Sequence, residues 1–356
     1  MSLEFNHVTL PQRVLFGAGQ AAINLKNEMD RLGADRVMVI AGDFEVELAK
    51  KVARDIEVSV WHTDVVMHVP IETAREARTV ASENDIEVLV SVGGGSTTGL
   101  AKAIALTTGL PIISVPTTYA GSEATNVWGL TEDARKTTGS DDRVLPVTVI
   151  YDSELTLSLP VEMSVASGLN GMAHCIDSLW APKSDPINAA MAVEGIRALS
   201  SGLPKIVAEP KGTEGRDEAL YGAYLSAVSF ASAGSGLHHK ICHVLGGTFN
   251  LPHAQTHATV LPYVLAFNAP YAPEAEKRAA AAFGADTALE GLQTLRAAVN
   301  APKRLADYGF TSEGIPEAVA IILEKLPANN PREVTADNLT NLLTAALNGD
   351  DPASLS

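Results

Sequence analysis

The sequence has few of the features that would place a protein in a membrane or outside the cell. No apolar run approaches the roughly 18 residues of a membrane span. The first ten residues, MSLEFNHVTL, contain neither a basic nor an apolar segment, so no secretory signal is expected. Only two cysteines occur, Cys175 and Cys242, too few for a disulfide framework. The sequence therefore predicts a cytoplasmic protein with reduced thiols.

Basic residues are also scarce. The 356 residues include 26 Lys and Arg against 42 Asp and Glu, which gives a formal net charge of −16. Nucleic acids and anionic membranes attract clustered Lys and Arg, so neither is expected as a partner. With 46 % hydrophobic and 19 % charged residues, the composition is that of a globular chain, long enough for two domains.

Acidic residues are missing from two long segments, residues 88–122 and residues 219–273. One interpretation is a buried core, where charges are rare. The other is that anions bind at these two places. The first segment is rich in Gly and Thr. The second holds five of the nine histidines: His238, His239, His243, His253 and His257.

The pattern of apolar residues changes along the chain. Up to about residue 159, short apolar runs (36–41, 58–62, 88–92, 111–115 and 147–151) alternate with helical patterns (45–55, 71–84 and 101–107). This alternation predicts a doubly wound α/β domain with a parallel sheet, assigned to residues 1–159 as the dinucleotide-binding domain. Residues 160–356 are dominated by helical patterns and are assigned to an all-α domain that carries the histidine cluster. Residues 349–356 are expected to fray.

A glycine-rich turn, Gly93-Gly94-Gly95-Ser96, follows the apolar run 88–92 and opens a helix. Glycines let the backbone approach a ligand closely, and a helix N-terminus offers N–H groups to a phosphate. The turn lacks the GxGxxG spacing of the usual Rossmann fingerprint. Pyrophosphate binding and a simple turn therefore both remain open.

Two further segments follow predicted strands. In residues 116–122 (PTTYAGS), hydroxyls and N–H groups could contact the rest of a dinucleotide, or cap the next helix. Asp43 follows the first of the apolar runs. A carboxylate there would accept from a ribose 2′-hydroxyl and repel a 2′-phosphate, which favours NADH over NADPH. A turn aspartate is the alternative.

The histidines have the spacing of a site built on helices. His239 and His243 are four residues apart, as are Asn170 and His174, so each pair shares a helix face. Together with His253, two such helices could bring three histidines and an amide into one cleft. A divalent metal would ordinarily want a carboxylate as well, and Asn170 is a neutral, weaker ligand.

These segments resemble the iron-containing alcohol dehydrogenase family, and within it the maleylacetate reductase branch. The resemblance covers nearly the whole chain. Its longest and most specific block is residues 238–257 (HHKICHVLGGTFNLPHAQTH). The other blocks are residues 13–19 (RVLFGAG), 93–106 (GGGSTTGLAKAIAL), 116–125 (PTTYAGSEAT), 135–138 (RKTT) and 167–174 (SGLNGMAH).

The resemblance implies a dehydroquinate synthase-like fold, an active site between the two domains and a homodimer. In metal-dependent members an Asp and three His hold the ion, at positions that match Asn170, His174, His239 and His253. The Asp that is usual in the glycine-turn helix is Gly99 here. Both departures resemble the reductase branch, so no obligatory metal is expected. If a metal binds, His174, His239 and His253 would hold it.

The activity that the resemblance implies is NAD(P)H-dependent reduction of 2-maleylacetate to 3-oxoadipate, in the breakdown of resorcinol, hydroxyquinol or chloroaromatics. The expected catalytic residues are His243 and His253, with His239 and His174 completing the site. Tyr119, Asn170 and Lys240 are the expected substrate contacts. The residues expected to bind NADH or NADPH are Asp43, Gly93, Gly94, Gly95, Ser96, Thr97, Thr117, Thr118, Ser122, Thr125 and Lys136.

Alternatives remain for several of these residues. Arg135 and Lys136 are expected on a loop that closes on cofactor or substrate, or that is merely solvated. Lys240 could be an exposed lysine, and Tyr119 could only pack. For the whole chain, the alternatives are a metal-dependent alcohol dehydrogenase on the same fold, a lyase or polyol dehydrogenase of the wider dehydroquinate synthase-like group, and a non-catalytic NAD(H)-sensing protein.

Overall fold

The computed structural model describes residues 4–67, 69–132 and 135–356, with the backbone alone for residues 135 and 136. The chain divides into two compact units. The α/β unit is Thr9–Leu159, and the helical unit is Pro160–Ser356 together with the described residues before Thr9. His7 belongs to the helical unit, where its Nδ1 lies 2.8 Å from Oδ2 of Asp185 and 3.2 Å from Oγ of Ser232. No helix within the described residues is both long and apolar enough to span a bilayer.

A six-stranded parallel sheet forms the centre of the α/β unit, in the order β1-β8-β5-β4-β2-β3. A separate antiparallel hairpin joins β6 and β7. The strands are β1 Arg13–Phe16, β2 Val37–Ile40, β3 Val60–His62, β4 Val88–Gly93, β5 Ile112–Pro116, β6 Val127–Glu132, β7 Arg135–Ser140 and β8 Thr148–Tyr151. The helices are α1 Ala21–Leu32, α2 Val46–Val52, α3 Ile71–Glu83 and α4 Gly95–Thr108.

The central strands are apolar on both faces, as a covered parallel sheet requires. Every residue of β2 and of β4 is buried. The predicted alternation of strands and helices is confirmed. The expected loop at Arg135 and Lys136 is wrong, because both residues begin β7 and pair with β6. The β-branched and aromatic residues of VWGLTE and RKTTGS favour this hairpin.

The helical unit contains nine α-helices among its described residues. They are α5 Val161–Ser178, α6 Pro186–Ala208, α7 Glu214–Ala233, α8 Leu237–Phe249, α9 His253–Asn268, α10 Pro273–Phe283, α11 Ala288–Ala298, α12 Ile315–Leu323 and α13 Ala336–Asn348. The sequence patterns predict helices at residues 162–181, 186–203, 214–233, 237–246, 273–283 and 287–299 and a tail of helices to about residue 348, but they do not predict α9. That helix is buried on every side from Thr256 to Asn268 and contains Pro262, so it lacks the periodicity of a helix with one polar face.

The end of the chain is ordered, which corrects the expectation that residues 349–356 fray. Gly349 ends α13 in a left-handed conformation. Residues Pro352–Leu355 form a 3₁₀ turn in which Pro352 is buried. The guanidinium of Arg332 donates to the carbonyl of Leu355 at 2.6 Å. Burial and this hydrogen bond hold a segment whose composition alone suggested a loose tail.

Candidate active site

Six histidines from three helices of the helical unit form one cluster. The imidazoles of His174 and His239 stack with ring centroids 4.9 Å apart. His253 and His257 are one helical turn apart on α9, with centroids 4.4 Å apart. The members are His174 from α5, His238, His239 and His243 from α8, and His253 and His257 from α9. Two of them, His238 and His257, were not among the candidate site residues.

A buried carboxylate, Asp177, holds His239 in place. Its Oδ2 lies 2.7 Å from Nδ1 of His239 and accepts the backbone N–H of Gly236 at 2.8 Å. Its Oδ1 accepts Nε1–H of Trp180 at 3.3 Å. A Cβ on Gly236 would collide with this carboxylate, so glycine permits the close approach. Burial raises the pKa of Asp177, whereas the three N–H groups favour its ionised form.

Sequence reasoning missed Asp177, although a signal existed. It lies one turn after His174 on α5 and is the one acidic residue in the second half of that helix. An imidazole that donates Nδ1–H to a carboxylate keeps a fixed orientation and a basic Nε2. Asp177 therefore supplies, from outside the acid-free segment 219–273, the negative charge that this segment lacks.

Burial divides the cluster into two parts. His174, His238, His239 and His257 are buried, whereas His243 and His253 are exposed. Burial lowers the pKa of His174 to about 4. It also lowers the pKa values of His238, His239 and His257 well below the ordinary value for histidine. The buried imidazoles are therefore neutral near pH 7, and the two exposed ones are accessible to a substrate.

Several buried polar atoms of the cluster have no hydrogen-bond partner within the described part of the chain. A buried polar group without a partner costs about 1–3 kcal/mol, so such atoms indicate a place that a bound molecule or water completes. The atoms are Nδ1 of His174, Nδ1 of His238, Nε2 of His239 and Nε2 of His257, together with Oδ1 of Asn170 on α5.

The positions at which the family resemblance implies a metal site hold three histidines and one amide. Across the described residues, one group of three His, Cys, Asp or Glu side chains has its donor atoms within 4.8 Å of one another, and that group is His238, Cys242 and His257. The fourth position holds Asn170, whose amide oxygen is neutral and a weaker ligand than a carboxylate.

In the α/β unit, the glycine-rich turn joins β4 to α4 as predicted. Gly93 ends β4 with φ of 155°, a conformation that favours glycine, and a Cβ there would lie 2.5 Å from Oγ1 of Thr97. Gly95 begins α4, whose first turn contains no acidic residue. The loop between β5 and β6, which contains Thr118, lies beside this turn, because a Cβ on Gly94 would lie 3.1 Å from Cγ2 of Thr118.

A buried lysine, Lys102, fixes the loop between β5 and β6. The sequence analysis did not single it out. Nζ of Lys102 donates to the carbonyls of Ser122, Thr125 and Val127 at 2.6, 2.8 and 2.8 Å, and lies 3.1 Å from Oγ1 of Thr125. Burial lowers the pKa of Lys102 to about 7, while these acceptors and the nearby Glu123 favour the ammonium form. Ser122 and Thr125 are therefore held through Lys102.

The remaining candidates are placed as follows. Asp43 is exposed and lies three residues after β2. Tyr119 is fully buried, and its hydroxyl donates to Oγ1 of Thr156 at 3.3 Å. Thr117 is buried, and Lys240 is half-buried on α8. The side chain of Lys136 lies outside the described residues.

Comparisons with known proteins define the class. The model of the iron-containing alcohol dehydrogenase family matches residues 11–153. The model of the C-terminal part of the Fe-containing alcohol dehydrogenase family matches residues 164–347. These matches cover most of the chain. The chain belongs to this family and is an oxidoreductase.

Individual relatives show which members of the family this chain is similar to. A maleylacetate reductase from Sphingobium indicum is 45 % identical over 98 % of this chain and 99 % of its own. The crystal structure of an iron-containing alcohol dehydrogenase from Corynebacterium glutamicum shares 74 % identity and a TM-score of 0.99, over 100 % of both chains. That of a maleylacetate reductase from Rhizobium sp. shares 40 % identity and a TM-score of 0.91, over 98 % of this chain and 99 % of that one. This chain is thus similar to the maleylacetate reductases over nearly its full length.

Proposed function

We propose that this chain is an NAD(P)H-dependent maleylacetate reductase. It reduces the C=C bond of 2-maleylacetate to give 3-oxoadipate, in the breakdown of resorcinol, hydroxyquinol or chloroaromatics. The observation that carries the proposal is the histidine cluster, which has two exposed imidazoles, several orphaned buried polar atoms and an amide, Asn170, where a metal site would want a carboxylate. The curated relatives named maleylacetate reductases support it.

The chemistry asks two things of the protein. When bound, the reduced nicotinamide supplies a hydride to the alkene carbon that is remote from the ketone. Negative charge then develops on the ketone oxygen as an enolate, and the adjacent carbon must receive a proton. Hydrogen-bond donors aimed at the enolate stabilise the charge, and a positioned acid delivers the proton.

His243 and His253 are the residues to which we assign these two tasks. Both are exposed, on α8 and at the start of α9, so a substrate can reach them. Imidazole can donate a hydrogen bond when neutral and a proton when charged, and both forms exist near neutral pH. The buried His174 and His239 complete the wall of the site. Asp177 fixes the orientation of His239.

The substrate carries two carboxylates, which need donors. Lys240 is half-buried in the histidine segment and supplies one positive charge. The amide NH₂ of Asn170 can donate to the other carboxylate, whereas an aspartate at this position would repel it. Tyr119 is not assigned a substrate role here, because its buried hydroxyl already donates to Thr156.

The dinucleotide is assigned to the glycine-rich turn and the adjacent loop of the α/β unit. The N-terminus of α4 offers N–H groups to the pyrophosphate. Asp43, exposed after β2, favours NADH over NADPH by repelling a 2′-phosphate. We further propose a cytoplasmic homodimer. The two free cysteines, Cys175 and Cys242, suit a reducing compartment.

A metal-dependent alcohol dehydrogenase is the second candidate, since the similar Corynebacterium glutamicum structure bears the name of an iron-containing alcohol dehydrogenase. The two candidates differ in substrate and in the need for metal. Purified protein is mixed with NADH or NADPH and maleylacetate, and separately with NAD⁺ and ethanol or 1,3-propanediol. We expect cofactor oxidation with maleylacetate and formation of 3-oxoadipate. Turnover of the alcohols alone would favour the second candidate, and no turnover with any unsaturated oxo acid would favour an NAD(H) sensor.

A further inference from the structure

Two buried histidines outside the proposed catalytic set are joined to each other. Nδ1 of His257 on α9 lies 3.0 Å from Nε2 of His238 on α8, which is hydrogen-bond distance. Sγ of Cys242 lies 3.6 Å from the same nitrogen of His238. His257 is fully buried and His238 and Cys242 are almost so. The reduction as proposed uses none of the three.

Nε2 of His238 and Nδ1 of His257 are close enough to share one proton. Burial lowers the pKa values of both imidazoles well below the ordinary value for histidine. Burial also raises the pKa of Cys242 well above its ordinary value, so its sulfur keeps its proton. The contact is therefore a hydrogen bond between two neutral imidazoles.

His257 lies at the centre of the histidine cluster. Its ring centroid is within 6.5 Å of those of all five other members. The nearest is His253, at 4.4 Å, which the proposed mechanism uses directly. The second nitrogen of His257, Nε2, is buried and finds no partner among the described residues. His257 thus has one nitrogen at hydrogen-bond distance from His238 and the other without a partner among the described residues.

The hydrogen bond between the two rings can run in either direction, and each direction leaves a different N–H without a partner. If His257 donates, the unpaired N–H is Nδ1 of His238, whose ring contacts only His239 and His257 among the cluster members described. If His238 donates, the unpaired N–H is Nε2 of His257, in the middle of the cluster. Buried N–H groups without a partner are rare, whereas unpaired acceptors are tolerated better. The second direction is favoured because a bound molecule can satisfy that N–H.

A second hydrogen-bond donor at this place would act together with the donor assigned to His243 or His253. Asp177 accepts Nδ1–H of His239, which leaves Nε2 of His239 with a lone pair. His239 therefore cannot donate to an anionic oxygen. We propose that His238 fixes the tautomer of His257, so that His257 presents Nε2–H to the site and donates to the oxygen on which negative charge develops, directly or through one water. This proposal rests on the proposed reductase function.

Replacing His257 by asparagine or by glutamine tests the roles of its two ring nitrogens one at a time. In His257→Asn the amide lies near the position of Nδ1, so the bond to His238 is kept and the Nε2 donor is lost. In His257→Gln the amide reaches the position of Nε2 and restores a donor. We expect kcat with maleylacetate to fall about 100-fold in His257→Asn and to stay within about fivefold of wild type in His257→Gln. KM for NADH should stay within about twofold in both, because no contact to the dinucleotide is assigned to His257.

Equal losses in the two variants, or no loss in either, would overturn the donor role. A structural role alone would reduce the thermal midpoint and kcat together in both. The tautomer is measured independently, by ¹⁵N NMR of histidine-labelled wild-type protein without substrate, with the His257 signals assigned from the variants. We expect protonated Nε2 and bare Nδ1, and the reverse would overturn the proposal. This measurement decides the tautomer even if maleylacetate is not turned over, a result that would reject the reductase function instead.

Discussion

Oδ2 of Asp177 lies 2.7 Å from Nδ1 of His239, and both side chains are almost completely buried. The carboxylate therefore fixes the ring orientation and leaves Nε2 of His239 basic and directed away from it. Replacing the carboxylate by an amide removes the negative charge and lets the ring turn. We predict that Asp177→Asn lowers kcat by at least about tenfold, because a displacement of about 1 Å in a positioned site group can cost about 100-fold.

The matched control for that variant is Asp185→Asn. Asp185 is also a buried aspartate of the helical unit that contacts a histidine, His7, and it caps α6. Both variants should unfold at a lower temperature than wild type, and only Asp177→Asn should lose turnover. Equal turnover in the two variants would show that Asp177 serves stability alone.

The two exposed histidines of the cluster carry the chemical step in this account. His243→Ala and His253→Ala should each reduce kcat by at least about tenfold, the usual effect of losing an acid–base group. Thermal unfolding should change little, because both side chains are exposed. Thr248→Ala, an exposed position on α8, is the control. Near-normal turnover in both histidine variants would contradict the assignment.

The need for metal is tested by chelation. With Asn170 in place of a carboxylate, we expect full activity after exhaustive dialysis against a strong chelator. Metal content is measured in the same samples. Activity that is lost on chelation and returns only with added iron or zinc would contradict this expectation.

We predict that Lys102 contributes both to the stability of the α/β unit and to cofactor binding. Its ammonium satisfies buried acceptors of Ser122, Thr125 and Val127, and Lys102→Met would leave them unpaired. We predict a loss of about 3 kcal/mol in the free energy of unfolding, from charged hydrogen bonds of about 1.5–3 kcal/mol each, partly offset by the apolar side chain. KM for NADH should rise more than kcat falls. Lys26→Met, an exposed lysine on α1, should change neither.

Much of the fold follows from local sequence patterns. The apolar runs of β2, β4 and β5 and the helical patterns of α7 and α10 are strong enough to place these elements within a residue or two. They are long or continuous, and they end at Gly or Pro. The histidine pairs on α5 and α8 follow from their spacing of four.

The rest depends on tertiary packing. Helix α9 is buried on every side, so its sequence contains no polar stripe that would reveal it. Had this helix been predicted, the spacing of four residues would have placed His253 and His257 on the same helix face. Asp177 and His239 are 62 residues apart, and Lys102 meets the carbonyls of a loop about 20 residues away. No local pattern encodes such contacts, although the acid-free segments mark where to look for them.

The central claim is that the hydride goes to the alkene and not to the ketone. The most direct test is to run the reaction with NADH deuterated at the transferable position and to locate the deuterium in the product by NMR. The account predicts 3-oxoadipate with the ketone intact and deuterium on the carbon that was the alkene carbon remote from it. Deuterium on a new carbinol carbon, with the C=C bond retained, would contradict the account and would indicate an alcohol dehydrogenase.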